Sequence, residues 1–316
     1  MASKIVDGPT APYISGMLVN RLMDHLSVDV EPFAVCLLQS GWRLSLPGNP
    51  GVVLHFVVEG TGTLRSPGGD WPMRPLTLAL VPRDIPHSIE CGEPVVSEHV
   101  VSSVPECEGV LEIKAGASDG CDLRVACGLI HVTYGDSLDL FGRLNDVLVA
   151  DLSVFPQAGP AFDGILAEQR HPADGSMALT RALMTQCLIY LIRSVAQGSN
   201  NPLPWLAALD DPGLGRALET LITEPSAHHT LDSLAEAAMM SRSAFAERFR
   251  EAIGQPPLSF LHEIRLRKAA QLLERNRTTQ IDWVAREVGL ASRSQFSTAF
   301  KTRFGITPAA YRDAVR

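Results

Sequence analysis

The side chains best suited to chemistry lie in two segments of the last hundred residues, and both segments carry the same pattern. Arg242 and Ser243 follow a serine in the first segment, and Arg293 and Ser294 follow a serine in the second. Arginine can form two hydrogen bonds to guanine, and serine can serve bases or phosphates. These residue types indicate contact with a nucleic acid, provided that a scaffold turns both segments outward.

An internal repeat predicts that scaffold. Residues 234–245 read LAEAAMMSRSAF, and residues 284–296 read VAREVGLASRSQF, with one extra residue before the serine. A short helix, a tight turn and a second helix, present twice, are typical of two helix-turn-helix units in one domain. The second helix of such a unit lies in the major groove of DNA.

Spacings of four residues divide each second helix into two faces. The inward face carries Phe245, Phe249 and Ile253 in the first unit and Phe296, Phe300 and Phe304 in the second. The predicted DNA-facing residues are Arg242, Ser243, Ala246, Glu247 and Arg250 in the first unit and Arg293, Ser294, Gln295, Ser297, Thr298, Lys301 and Arg303 in the second. Because glutamine can pair with adenine, the second unit is the richer in base-reading groups.

A connecting helix is predicted between the two units, over Leu258–Arg275. Its apolar residues recur at helical spacing, and Arg265, Arg267 and Lys268 are expected on its exposed side. A rigid connector would place the two reading helices about 34 Å apart, in successive major grooves on one side of the duplex.

The N-terminal part has a different rhythm, with short β-rich runs separated by Gly and Pro clusters. The predicted strands are Phe33–Leu38, Val52–Val58, Leu76–Val81, Val95–Val101 and Leu123–Thr133. Strands of this length and spacing favour a β-sandwich or barrel. Helices are predicted afterwards, over Leu138–Leu152, Ala161–Arg170 and Ser176–Ala196.

The predicted fold class is therefore α+β with two domains. Residues 1–200 form a β-barrel domain with following helices, residues 201–211 a linker, and residues 212–316 an all-α domain with two helix-turn-helix units. The helix 176–196 has an apolar stripe that fits either packing on its own barrel or dimerisation, and we favour dimerisation.

One stretch of the N-terminal part resembles the two motifs of the cupin barrel. His55, Glu59 and His87 occupy three of the four positions that hold a metal in cupin enzymes, and Val53 occupies the remaining one. Two imidazoles and a carboxylate can bind a divalent ion such as iron, zinc or manganese if they converge. The alternative is structural, since Glu-Gly at a turn and a histidine at a strand end are common without metal.

Composition limits the class of protein. The net charge of −8 divides unevenly, with 15 Lys and Arg against 11 Asp and Glu in residues 212–316 and 12 against 24 in residues 1–211. A basic C-terminal part beside an acidic part suits a DNA-binding domain with a regulatory domain. No apolar run reaches the roughly 20 residues of a membrane span, so we expect a cytoplasmic protein without membrane partners.

All six cysteines lie before residue 211. In a reducing cytosol we expect them to be free thiols, and one of them could serve as a redox sensor. Cys121, Cys127 and His131 have a spacing that could also suit zinc, although that stretch fits a core strand better.

The C-terminal sequence resembles the AraC/XylS family of bacterial transcription regulators. The resemblance rests on residues 241–257, on the Ile264-Arg265-Leu266 segment with Leu272-Leu273, and on residues 281–308 followed by Ala310-Tyr311-Arg312. It implies activation or repression at promoters as a homodimer, with RNA polymerase and a small-molecule effector as partners. Transferred by position, the family's base contacts fall at Arg242, Ser243, Ala246 and Glu247, and at Arg293, Ser294, Ser297 and Thr298.

The predicted function is thus a sequence-specific DNA-binding regulator, and not an enzyme, whose cupin-like domain senses a small molecule or stress. No cofactor is expected apart from a divalent metal in the barrel. Two alternatives stay open, a metal-dependent cupin enzyme fused to a DNA-binding domain and a regulator that responds through its thiols.

Overall fold

The computed structural model describes residues 26–101, 110–118, 120–134, 138–197, 203, 205, 208, 211–275, 278–290 and 292–314. The chain divides into two compact units. The N-terminal unit contains Val28–Val132 and Asp139–Pro202, and the C-terminal unit contains Leu203–Arg316. Within the described ranges, no helix is both long and apolar enough to cross a lipid bilayer.

The N-terminal unit contains thirteen strands in its described part. They are β1 Leu26–Val30, β2 Ala34–Leu38, β3 Trp42–Leu46, β4 Val52–Gly60, β5 Gly62–Ser66, β6 Gly69–Met73, β7 Thr77–Val81, β8 His87–Cys91, β9 Ser97–Val100, β10 Leu111–Ala115, β11 Leu123–Tyr134, β12 Leu138–Asp139 and β13 Leu148–Asp151. All five strands predicted from the sequence are present.

The strands form two separate sheets. The eight-stranded sheet has the order β10-β2-β11-β4-β7-β13, with β1 and β12 also paired to β11, and the five-stranded sheet has the order β6-β5-β8-β3-β9. The predicted cupin-like β-domain is therefore present as two packed sheets, and the described strands do not close into one barrel. A sandwich is an alternative solution for the same alternating strands, because both architectures bury one face of each strand.

The eight-stranded sheet is covered on both faces. One face meets the five-stranded sheet through a core that includes Leu38, Leu44, Val57 and Ile89. On the other face, the Phe56 and Phe162 rings stack with centroids 3.8 Å apart. Phe162 belongs to α1 (Ala158–Arg170), which packs beside α2 (Ser176–Gln197).

The predicted helix over Leu138–Leu152 is wrong. The segment forms β12 and β13 instead, and β13 pairs antiparallel with β7 at the edge of the sheet. Leu148, Ala150 and Leu152 are buried while Val149 and Asp151 are more exposed, which is the period of two that a strand requires.

The helix predicted over 176–196 is confirmed as α2. Its predicted apolar stripe is only partly buried, and consists of Leu179, Leu183, Cys187, Tyr190 and Leu191. Met184, Cys187, Leu188 and Leu191 are buried, whereas Leu179 is 46% exposed. Much of the apolar face is therefore used inside the N-terminal unit, and dimerisation through this helix stays a prediction.

The C-terminal unit is all-α in its described part. Its helices are α3 Pro212–Thr223, α4 Leu231–Ala237, α5 Arg242–Ile253, α6 Pro257–Arg275, α7 Ile281–Glu287, α8 Arg293–Phe304 and α9 Pro308–Ala314. The predicted connecting helix is α6. Its residues Leu266, Ala269 and Leu273 form a core with Val284 of α7 and Phe296 of α8.

Candidate nucleic-acid interface

The two helix-turn-helix units, α4–α5 and α7–α8, have the same turn at the level of single hydrogen bonds. The Met239 amide donates to the Glu236 carbonyl at 2.9 Å, and the Gly289 amide donates to the Arg286 carbonyl at 3.0 Å. The next amides, of Met240 and Leu290, donate to Ala235 and Ala285 in the same way. Through the first helix and the turn, each residue of the second unit lies 50 positions after its equivalent in the first unit.

Both turns contain a left-handed residue at the same place. The φ angle is +54° at Met239 and +77° at Gly289. Glycine adopts this conformation without strain, whereas methionine does so at a cost. Gly289 is also close to another segment, since a Cβ atom placed on it would lie 2.5 Å from the Ser226 carbonyl oxygen.

The second helix of each unit begins and ends with the same devices. Ser241 and Ser292 cap α5 and α8 by accepting a hydrogen bond from the amide three residues later, at 3.3 Å in both cases. Gly254 and Gly305, both with φ of +79°, end them. From the serine onward, equivalent residues of the two units are 51 positions apart instead of 50. The extra residue of the second unit is therefore position 291, which lies outside the described residues.

The predicted DNA-facing residues lie on the outer sides of α5 and α8. The side chains of Arg242 and Arg293 are 66% and 65% exposed. Phe245, Phe249, Phe296 and Phe300 are buried on the opposite sides, as predicted, and Phe304 is partly buried. The other exposed members of the predicted set are Ser243, Glu247, Arg250, Ser294, Gln295, Thr298, Lys301 and Arg303, and Ala246 and Ser297 are half-buried.

Each of the two leading arginines is paired with an acid at the start of the preceding helix. Arg242 Nη1 lies 3.6 Å from Asp232 Oδ1, and Arg293 Nη1 lies 3.2 Å from Asp282 Oδ2. These aspartates were not predicted as part of the site. The signal was present, because Asp232 and Asp282 occupy the same position of the repeat, two residues before Leu234 and Val284.

Arg303 is the predicted residue that is most engaged within the protein. Its Nη2 lies 3.5 Å from Glu263 Oε1 of α6, and its guanidinium carbon lies 5.3 Å from the centre of the Phe304 ring. Glu263 also accepts hydrogen bonds from Arg267 and Gln255. Burial acts to raise the pKa of Glu263, but these hydrogen bonds and the nearby arginine charges outweigh it and lower the pKa.

The expected exposure of Arg265 and Arg267 on the connecting helix is wrong. Arg265 donates to the Pro225 and Ala227 carbonyl oxygens at 2.7 and 2.9 Å, and burial lowers its pKa. Arg267 is only 18% exposed and pairs with Glu263. Long side chains of this type can cover apolar surface while their head groups find partners nearby, which periodicity alone does not reveal.

In the N-terminal unit, the structure brings two of the three predicted metal ligands together. The Nε2 atoms of His55 on β4 and His87 on β8 lie 2.8 Å apart, between the two sheets. Glu59 is not beside them, because it is half-exposed and pairs with Arg124 at 3.0 Å. No group of three or more metal-binding side chains occurs among the residues that the structure describes.

Hydrogen bonding explains the histidine pair without a metal. His87 Nδ1 lies 3.1 Å from the Ile85 carbonyl and must donate to it, so His87 Nε2 accepts from His55 Nε2. His55 Nδ1 is then a buried acceptor without a partner. Burial lowers the pKa of both histidines, and the charge of His87 lowers that of His55 further. The residues present do not fit a cupin metal site.

The thiols are mostly buried. Cys36, Cys91, Cys127 and Cys187 are buried, and Cys121 is half-buried. Burial raises the pKa of Cys91 to about 11 and that of Cys187 to about 12. Burial and a hydrogen bond with Cys36 raise the pKa of Cys127 well above its usual value. High pKa values leave little thiolate to react. Cys107 lies outside the described residues.

Each of the two units matches the model of a known protein family. The model of the Cupin family matches residues 18–197, and that of the family described as Helix-turn-helix domain matches residues 234–314. The chain is 27% identical to the RCS-specific HTH-type transcriptional activator RclR of Escherichia coli K12, over 89% of this chain and 92% of that protein.

Two further relatives are also named as transcription regulators. The HTH-type transcriptional regulator MtrA of Neisseria gonorrhoeae is 25% identical over 93% of this chain and 97% of its own length. A protein of Streptomyces antibioticus named as an AraC-like transcription regulator is 34% identical over 64% of this chain and 73% of its own length. The protein therefore belongs to the AraC-like transcription regulators, DNA-binding proteins in which, here, a cupin-like domain precedes a helix-turn-helix domain.

Proposed function

We propose that this regulator reads two adjacent segments of a promoter, with α5 in one major groove and α8 in the next. The observation that supports this most directly is the equivalence of Arg242 and Arg293. Each is the first residue of a serine-capped helix, and each is about two-thirds exposed. In a helix-turn-helix unit, residues in the first turns of the second helix meet base edges.

The two units contribute unequally in this proposal. The α8 helix offers Arg293 and Gln295 for bases and Lys301 for phosphate, and Ser294, Ser297 and Thr298 can serve either. The α5 helix offers Arg242, Ser243 and Arg250, but Ala246 has no polar group and Glu247 repels phosphate. Sequence discrimination therefore comes chiefly from α8, and α5 mainly adds affinity.

Substitutions on α8 test the proposal. A preferred duplex is selected from a random pool, and binding is measured by fluorescence anisotropy at several salt concentrations. Arg293→Ala should cost about 1 to 3 kcal/mol on the preferred duplex and little on a duplex changed at the contacted base pair. Lys301→Ala should weaken binding to all duplexes alike and reduce the salt slope by about one.

The control is Lys114→Ala on β10 of the N-terminal unit, which removes a basic side chain far from the repeat in sequence. The proposal fails if the full chain selects no preferred sequence, or if Arg293→Ala weakens every duplex to the same extent.

We further propose that the cupin-like domain senses a small molecule, and that the protein works as a homodimer that contacts RNA polymerase. The support is the matched domain pair and the names of the relatives, which are regulators. A metal-dependent enzyme is the weaker alternative, because Glu59 lies away from His55 and His87. Sedimentation of the full chain with and without promoter DNA tests the dimer, and a monomer on DNA would contradict it.

A further inference from the structure

A cavity of about 670 Å³ opens in the N-terminal unit, outside the space between the two sheets. It is lined by β1, by the Leu129–His131 part of β11, by the loop before β4, and by the segment from the end of α1 to the start of α2. Cavities that hold small organic ligands have volumes of roughly 300 to 1,000 Å³. This cavity is therefore large enough for an effector.

Most of the wall is apolar. Val28, Val30, Leu129 and Pro172 line it, together with Met177, whose side chain is 78% exposed. Methionine is flexible and polarisable, so it adapts to ligands of different shapes. The body of a ligand that fits this wall must be apolar.

Both arginines that line the cavity already have acidic partners. Arg83 pairs with Asp139, and Arg181 lies 3.0 Å from Asp29 Oδ1. Arg181 Nε also donates to the Val28 carbonyl oxygen at 2.9 Å. These two positive charges are therefore largely compensated by the protein itself.

Two carboxylates that line the cavity are not compensated. Glu168 accepts a hydrogen bond from the buried Ser176 hydroxyl, and Glu31 is exposed. Among the residues described, neither has a lysine or arginine within ion-pair distance. The unmatched charge on the wall is negative.

We propose that this cavity binds a lipophilic organic cation, with Glu168 as its counter-charge. Binding removes the apolar body of the ligand and the apolar wall from contact with water, which is favourable. A cationic group beside the half-buried Glu168 is attracted to the carboxylate more strongly than it would be in bulk water. An organic anion of the same shape would meet uncompensated negative charge. This inference rests on the proposed sensing function and names the chemical class of the effector.

The test uses two probes of the same shape and opposite charge, tetraphenylphosphonium and tetraphenylborate, with the full chain in a titration calorimeter. Wild type should bind the cation at least about tenfold more tightly than the anion. Glu168→Gln keeps an acceptor for Ser176 but removes the charge, so it should weaken cation binding about tenfold. Asp163→Asn, an exposed carboxylate of α1 that does not line the cavity, should leave binding unchanged.

Each of three results would overturn the inference: no heat from either probe, equal affinity for both probes, or unchanged cation affinity in Glu168→Gln. Glu31→Gln is measured as a second variant. The second variant removes the other unmatched carboxylate, and thermal melting checks that each variant is folded. DNA affinity is measured on the same samples with and without the cation. A cation that binds through Glu168 without changing DNA affinity would support the site and contradict the sensing function.

Discussion

Two neutral imidazoles, His55 on β4 and His87 on β8, are joined by one N–H···N hydrogen bond, and acid should destabilise this arrangement. The usual pKa of histidine is 6.5, and burial lowers the pKa of both His55 and His87 in the folded protein. Above pH 6.5 neither state takes up a proton. Below it the unfolded chain becomes protonated while the folded pair does not, so stability is lost as the pH falls toward the folded pKa values.

We therefore expect the free energy of unfolding to fall between pH 7 and pH 5, by up to about 1.4 kcal/mol per pH unit for each histidine. Denaturant melts across this range measure it. The control is His55→Leu combined with His87→Leu, which should show a shallower dependence on pH. Equal slopes in the two proteins would contradict the prediction.

The aspartates paired with Arg242 and Arg293 give a second prediction for single residues. In the free protein Asp282 holds Arg293 in place, but it also brings a negative charge toward the phosphates. Asp282→Asn should therefore raise affinity for all duplexes by up to about fivefold, the range of an exposed ion pair. It should also lower the ratio of specific to non-specific binding, because Arg293 is less ordered before contact.

Anisotropy with the preferred duplex and an unrelated duplex measures both quantities. Asp232→Asn is the matched variant in the first unit and should act in the same direction with a smaller effect, since its ion pair is longer, at 3.6 Å. Weaker binding to both duplexes in Asp282→Asn would contradict the prediction.

The turn between α7 and α8 depends on one glycine, and a second glycine provides its control. Gly289 has φ of +77° and its Cβ would meet the Ser226 carbonyl oxygen, whereas Gly305 has φ of +79° and open space around it. Gly305→Ala should cost about 1 kcal/mol, from backbone strain alone. Gly289→Ala should cost clearly more, because the Ser226 backbone must also move.

Thermal or denaturant unfolding of the two variants measures the difference. If Gly289→Ala were no more destabilising than Gly305→Ala, the close approach of Ser226 would not contribute to stability.

Elements with a strong local signal could be predicted from the sequence. Serines before α5 and α8, glycines after them and phenylalanines at spacings of four determine those helices locally. The segment 138–152 could not be predicted in the same way. The strand β12 pairs with the neighbouring β11, but β13 depends on pairing with the distant strand β7, and that pairing is not visible in a short window.

At the scale of the domain, α6 is the part that links the two reading helices. It shares one core with α7 and α8, and Glu263 joins it to Arg303 at the end of α8. A duplex whose two contacted segments are moved apart by about 5 base pairs turns one of them to the other side of the helix axis. We expect such a duplex to lose at least about tenfold in affinity, measured by anisotropy.

Inserting about 10 base pairs returns the second contacted segment to the same side of the duplex but doubles its distance from the first. This duplex should also bind weakly if α6 is rigid. Full recovery with 10 base pairs would indicate a flexible connection and contradict this view of α6.

Across the whole molecule, the sequence was most informative where function is local and least where it depends on distant contacts. Arg242 and Arg293 were predicted to lie on outer helix faces because each sits in a repeated motif, and both are about two-thirds exposed. The cavity beside Glu168 could not, because it is assembled from β1, β11 and two helices far apart in the chain. His55 and His87 do lie together, but the pairing of β4 with β11 is irregular between Val57 and Glu59, and a bulge of this kind is not visible in the sequence.

The caps of α5 and α8 are separated by the same number of residues, since Ser241 precedes Gly254 by as many positions as Ser292 precedes Gly305. The segments between the caps can therefore be exchanged without a change in length. Transplanting residues 292–305 in place of 241–254 would keep chain length and both end points. If α8 reads DNA as proposed, such a chimera carries the same base-contacting helix twice and should favour a direct tandem repeat.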